Sequence, residues 1–310
     1  MDRGEATEGT NPHTTDCDGG GTVHAQQRRG WWGFTVGPWP APTRRSREWS
    51  VRYALAALVL ALLIAAAVGF GFDESGVEIP RGVSALIIDG AFLVTLVPLY
   101  RSGALRAADL GLRRVPPGRS VGLAVLAFIA YVVVNRLWHS WVNPPPIGST
   151  FGALTDQSTV VIVLAGFAAV VSAPVVEEIF FRGFLYRSLR NRMGIVPACL
   201  IVGVIFGLGH TQYPLLVRPV LAAFGVIACL LYERTGSLLP GIAMHSYIDS
   251  SGFEFALSGR VNVVFDVFAL LALLLLMVAF AKFMRSSLGS EDLPNVSTLQ
   301  RRRMRRAESS

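Results

Sequence analysis

The chain has 310 residues, 52% of them hydrophobic and 16% charged, with a net charge of +7 and a mean hydropathy of +0.48. That is too apolar and too sparsely charged for an ordinary soluble domain, and it points to a polytopic membrane protein. Nearly all the positive charge is arginine, Lys282 being the one lysine. This bias suggests a GC-rich, bacterial source. The arginines lie beside apolar runs, as on the cytoplasmic flanks of membrane helices, which argues against nucleic acid as a partner.

Residues 1–49 are polar and Gly-rich, contain Cys17 and His13, and end in "WWGFTVGPWPAP" before "RRSR". No signal peptide is visible there, and the stretch reads as a disordered tail with Trp31, Trp32 and Trp39 suited to a lipid interface. The membrane domain is expected over 50–285. Its first span covers Ala54 to Phe72, and its second runs from Gly82 to Tyr100 with Asp89 inside it. Asp89 reads as a helix–helix polar contact, as the partner of an arginine, or as a functional group.

The segment "RSGALRAADLGLRRVPPGRS" carries five arginines against Asp109 and reads as a cytoplasmic loop. A third span follows from Ser120 to Trp138, and a fourth starts near Ser158 and runs past Glu177 and Glu178 to Arg187, Arg190 and Arg192. Spans five to seven are short and interrupted by Gly and Pro, over Ile195–His210, Leu215–Tyr232 and Leu238–Phe255. The last is Val261–Phe283, before a basic tail over 286–310 whose "RRRMRR" suits an anionic lipid surface. The expectation is an all-α bundle of about eight transmembrane spans, seven being the alternative. With eight, the arginine-rich segments fall on one side and both termini are cytoplasmic. Cys199 and Cys229 lie in apolar runs, so neither a disulfide framework nor a paired-cysteine zinc site is expected.

Ionisable groups inside hydrocarbon cost several kcal/mol, so they face the protein interior and mark function. Three clusters qualify. In "EEIFFR", Glu178 and Arg182 are four apart and stack on one helical face, where they can neutralise one another. Glu177 is turned about 100° away and is left for other work. In "FGLGH", Phe206 and His210 share a face, and in "HSYID" His245 and Asp249 do. Counted at about 1.5 Å per residue from the cytoplasmic helix ends, Glu177 lies roughly 20 Å deep, His210 about 22 Å and His245 about 12 Å. One shared polar cavity is the economical reading. Against it, each group has a plainer role: Glu178 with Arg182 as a structural ion pair, a buried histidine as a satisfied core residue. Tyr186, Tyr213 and Tyr247 read as packing residues.

Three motifs in this order, EExxxR, FxxxH and HxxxN/D on successive membrane helices, resemble the CPBP intramembrane proteases, which include CAAX prenyl endopeptidases and bacteriocin-processing relatives. The resemblance covers residues 158–257, with "DLGLRR" a weak further similarity. It implies an intramembrane endopeptidase in which Glu177 and His210 activate a water while His245 and Asp249 stabilise the oxyanion. Glu178, Arg182 and Phe206 would support the site. The prenyl proteases carry asparagine where this chain has Asp249. An ionised aspartate would repel an oxyanion, so Asp249 should be protonated or should orient His245.

No metal or other cofactor is favoured, though Glu177, His210 and His245, with Asp249, are also a plausible zinc ligand set. No HExxH helix accompanies them. The expected substrate is a peptide or membrane protein at the bacterial plasma membrane, prenylated substrates being less suited to a bacterial host. Two other functions compete: a non-catalytic membrane partner or immunity-type protein of the same fold, and a proton-coupled transporter. The sequence shows none of the inverted repeats a transporter would carry.

Overall fold

The computed structural model describes residues 51–75, 81–102, 105, 109–112, 117–145 and 157–258. The expected N-terminal tail, eighth span and basic C-terminal tail lie outside these residues. Among the described residues the chain is all helix, with no strand. Helices α1 (Val51–Ser75), α2 (Arg81–Arg101) and α3 (Pro117–Val142) precede α4 (Thr159–Arg190), a continuous helix that becomes π-helical over Ala168–Ser172 and Glu178–Tyr186. Then come α5 (Ile195–Gly209), α6 (Arg218–Thr235) and α7 (Leu239–Ser258).

Four helices are long and apolar enough to cross a membrane: α1 to α3 over Val51–Val68, Val83–Arg101 and Ser120–Val142, and α4 over its whole length. The chain is therefore a multi-pass membrane protein. Helix α5 is apolar but shorter. The two helices expected as spans six and seven do not reach the same apolar standard: α6 carries Arg218, Glu233 and Arg234, and α7 carries His245, Asp249 and Glu254. Leu55, Val59, Leu63, Val121, Leu126 and Val133 are exposed on α1 and α3, as lipid-facing residues must be.

The helix ends follow local chemistry. Helix α4 begins after Ser158, whose hydroxyl accepts from the Val161 amide at 3.5 Å. Helix α6 starts at Arg218 rather than the expected Leu215, because Pro219, lacking an amide donor and fixed in φ, suits a first turn. It runs past the expected Tyr232 to Thr235. There Gly236 takes a left-handed φ of 63° and its amide caps the Tyr232 carbonyl at 2.7 Å.

Between α2 and α3, residues 109–112 dock on the C-terminal helices. Gly111, at φ +90°, accepts from the Leu238 amide at 2.9 Å, and the Leu110 carbonyl accepts from the Tyr232 hydroxyl at 2.9 Å. This is the stretch "DLGL", so the loop read as a cytoplasmic connector is also a packing element.

Helices α5 and α6 approach through glycine. Gly203 and Gly207 face α6 and Gly225 faces α5, so that the Gly203 Cα lies 2.8 Å from the position a Cβ on Gly225 would take. Close approach of this kind lets backbones pack without intervening side chains. A Cβ on Gly203 would stand 2.5 Å from Val226 Cγ2 and 2.7 Å from the Ala222 carbonyl oxygen, and the carbonyl cannot move without shifting the helix. Gly203→Val should therefore cost more than about 2 kcal/mol through overpacking. A lowered thermal midpoint in detergent measures it. Gly252→Ala, which meets nothing within 4 Å, should leave the midpoint unchanged or raise it.

Candidate active site

Helix α4 supplies two carboxylates where its winding changes. Pro174 has no amide to donate, and immediately before it the Ala173 amide reaches five residues back to the Ala168 carbonyl, the hydrogen bond of a π-turn. A short α-helical stretch, Ala173–Glu177, separates this from the second π-segment, which opens at Glu178. The adjacent glutamates therefore straddle a change of helix type.

Glu178 is 1% exposed and Arg182 fully buried, with Arg182 Nη1 3.0 Å from Glu178 Oε1. The same Glu178 oxygen receives His245 Nδ1 at 3.2 Å. The spacing of four residues predicts the first contact but not the second, which joins α4 to α7. The guanidinium lies over the Phe206 ring at 4.6 Å and the Phe224 ring at 5.4 Å, and Nη2 donates to the Gly225 carbonyl at 3.5 Å. The other Glu178 oxygen, Oε2, has no hydrogen-bond partner among the described residues and sits against α7 at Gly241, where a Cβ would stand 2.9 Å from it.

Glu177 faces the histidines. Its Oε2 is 4.0 Å from His210 Nε2 and 3.9 Å from His245 Nε2, and among the described residues it has no hydrogen-bond donor. At the end of α5, His210 Nδ1 lies 2.6 Å from the Phe206 carbonyl. A carbonyl can only accept, so Nδ1 carries the proton and a neutral His210 turns the Nε2 lone pair toward Glu177.

On α7, His245 Nε2 is 3.4 Å from Asp249 Oδ2. With Nδ1–H given to Glu178, a neutral imidazole would set its lone pair against a carboxylate, so this contact needs one more proton, on Nε2 or on Asp249. The pair thus holds one proton between Nε2 and Oδ2, and Nε2 lies 3.9 Å from Glu177 Oε2. Glu178 and Arg182 compensate each other, and His245 and Asp249 share a proton. Glu177 Oε2, within 4.0 Å of both imidazoles, has no hydrogen-bond partner among the described residues.

Aromatic rings fix the imidazoles. Phe206 packs on His210 at 4.5 Å and on His245 at 6.0 Å between ring centroids, and Phe224 packs on His245 at 4.6 Å. Tyr213, in the turn after α5, stacks on His210 at 6.0 Å with the rings 29° apart. Burial and the carboxylates of Asp249 and Glu177 push its hydroxyl above the ordinary range, so it stays neutral. Tyr186 instead donates to Glu233 at 2.8 Å, and Tyr247 packs edge-on against Phe128 at 5.3 Å. Asp89, on α2, accepts from the Ser172 hydroxyl of α4 at 2.6 Å, a helix–helix polar contact rather than an arginine pair.

Sequence reasoning misses Phe224, which belongs to no motif, and Gly241, whose signal is its position four residues before His245 on the same face of α7. Among the described residues, no three His, Cys, Asp or Glu side chains are disposed to hold a metal ion. Cys199 and Cys229 are buried free thiols.

Residues 158–251 match the family model of the type II CAAX prenyl endopeptidases, Rce1-like. This segment is an Rce1-like domain. It runs from the start of α4 into α7 and contains every residue of the three motifs. No curated protein and no solved structure matches the chain. The family is one of CAAX endopeptidases, which supports endopeptidase activity within a membrane; the type of catalysis has to be argued from the residues of the Rce1-like domain.

Removing Arg182 leaves the Glu178 carboxylate buried and without its cation. Arg182→Met should cost about 3–5 kcal/mol, and Arg182→Met with Glu178→Gln should recover part of that loss. Unfolding in detergent of the two variants beside the wild type measures both effects. Equal stability of all three would mean that the pair contributes nothing to the fold.

Proposed function

We propose that the Rce1-like domain is a metal-free intramembrane endopeptidase in which Glu177 and His210 activate a water. The observation that carries this reading is the unpartnered Glu177 Oε2, 4.0 Å from His210 Nε2 and 3.9 Å from His245 Nε2. A water at hydrogen-bond distance, about 2.8 Å, from both Glu177 and His210 would bridge them at roughly a right angle. It would give one proton to this pair, and its oxygen would attack the scissile carbonyl carbon. Charge then develops on the carbonyl oxygen, where the proton shared by His245 and Asp249 donates to it. The intermediate collapses as the C–N bond breaks, and the proton taken from water passes to the leaving amine.

Desolvation strengthens a carboxylate as a base and later as an acid, so the site gains from burial in an apolar bundle. The Asp249 contact suits the role that an amide plays in the prenyl proteases, provided the pair keeps its proton. Glu178 acts through others: it holds Arg182 and fixes the His245 ring.

The protein would lie in the plasma membrane of a bacterium, with eight spans and both termini cytoplasmic. Its substrate would be a peptide precursor or a membrane protein. Comparison of membrane-peptide termini in cells expressing the wild type or Glu177→Gln at equal level tests the activity. Wild-type-specific termini should fall by about 10²–10⁴-fold in the variant, as expected for loss of a general base. They should also persist when a zinc chelator is added. Their loss on chelation would replace the metal-free mechanism with one using zinc through Glu177, His210 and His245. Identical termini in both strains, with the wild-type phenotype kept by the variant, would remove the catalytic reading and leave a scaffold.

A further inference from the structure

Asp89 belongs to α2, outside the Rce1-like segment, yet it is 4% exposed and accepts a 2.6 Å hydrogen bond from Ser172. Its partner Ser172 stands on α4, the helix that carries Glu177, which joins Asp89 to the proposed site through one hydrogen bond. A carboxylate inside an apolar helix is costly, and cohesion alone does not require one here. The same two helices already meet through the Phe92 ring against Phe180 at 4.6 Å and Phe181 at 5.6 Å.

Ser172 is the last residue of the first π-segment, two before Pro174 and five before Glu177. A hydroxyl in the middle of a helix commonly bonds back to the carbonyl a turn earlier. This one is drawn across to a neighbouring helix. A π-turn accommodates one more residue than an α-turn, so relaxing it would rotate everything downstream by about one residue's angle, roughly 100°. A rotation of that size would carry Glu177 off the face that meets His210 and His245.

We propose that the Asp89–Ser172 hydrogen bond pins this π-turn and thereby aims Glu177, making Asp89 and Ser172 positioning residues for the base. The inference rests on the reading of Glu177 as the base, but its geometric content can be measured without cleavage. Carbodiimides modify carboxyl groups in apolar surroundings. Labelling of Glu177 by dicyclohexylcarbodiimide in the full-length protein in lipid nanodiscs, read by mass spectrometry against Glu254, reports how Glu177 is presented.

Ser172→Ala and Asp89→Leu should each change the Glu177 to Glu254 labelling ratio at least about threefold. Asp89→Asn, which keeps an acceptor, and Ser172→Thr, which keeps a hydroxyl, should restore most of the wild-type ratio. If Glu177-dependent termini are found, the peptide spanning the cut serves as substrate. Its kcat should fall about tenfold or more in Ser172→Ala with KM held, and the double variant Asp89→Leu/Ser172→Ala should lose no more than the worse single one.

An unchanged labelling ratio in both Ser172→Ala and Asp89→Leu overturns the inference, whatever happens to cleavage. A shifted ratio without Glu177-dependent termini in the wild type upholds the placement of Glu177 while the protease reading falls. If Asp89→Leu does not fold, Ser172→Ala with its Thr rescue decides the question alone.

Discussion

A carboxylate carried into the interior of an apolar helix bundle has to be neutralised or put to use, and the Glu178–Arg182 pair is where this domain meets that constraint. The pair is almost wholly buried, so its desolvation has to be offset by the contacts it makes with neighbouring helices. One Glu178 oxygen serves both Arg182 and His245, while the guanidinium spreads over Phe206 and Phe224 and reaches the Gly225 carbonyl. Four helices, α4 to α7, are committed to this one pair. The catalytic candidates are tied to it, because His245 is held by Glu178 and His210 by the carbonyl and ring of Phe206, which also stacks on Arg182.

The close approach of these helices is the second requirement. Rings of Phe206 and Phe224 can press on Arg182 and the imidazoles only if α5 and α6 come together at their glycines, and α7 can approach Glu178 only where Gly241 leaves space for Oε2. Small residues thus determine polar geometry here. In an apolar solvent, where lipid competes equally for hydrophobic faces, such fit and a few polar contacts carry what burial carries in water.

Much of this was legible in the sequence because it is local. The apolar runs, the spacing of Glu178 and Arg182, and the shared faces of Phe206 with His210 and of His245 with Asp249 depend only on helical period and hydropathy. Helix α4 and the start of α5 fall where they were expected for the same reason. What was not legible is what requires a second helix. No pattern in α6 distinguishes Phe224 from its apolar neighbours, and the contact of Glu178 with His245 spans 67 residues. The depth estimate placed His245 about 8–10 Å nearer the cytoplasm than Glu177 and His210. Both imidazoles nevertheless lie within 4.0 Å of Glu177, because a residue count along each helix does not fix how α4, α5 and α7 are set against one another.

The least legible feature is the winding of α4. The sequence gives two adjacent glutamates an angular separation of about 100° only if the helix is regular. Here they straddle the junction between an α-turn and a π-segment, and one imidazole reaches both, Nδ1 to Glu178 and Nε2 toward Glu177. That arrangement divides labour on a single ring: one nitrogen is tied to the buried ion pair, and the other lies between Asp249 and Glu177. A proton on Nε2 is then supported from behind by a carboxylate that is itself anchored by Arg182. The ion pair that makes Glu178 tolerable in the membrane therefore also orients the donor that Glu177 chemistry would need.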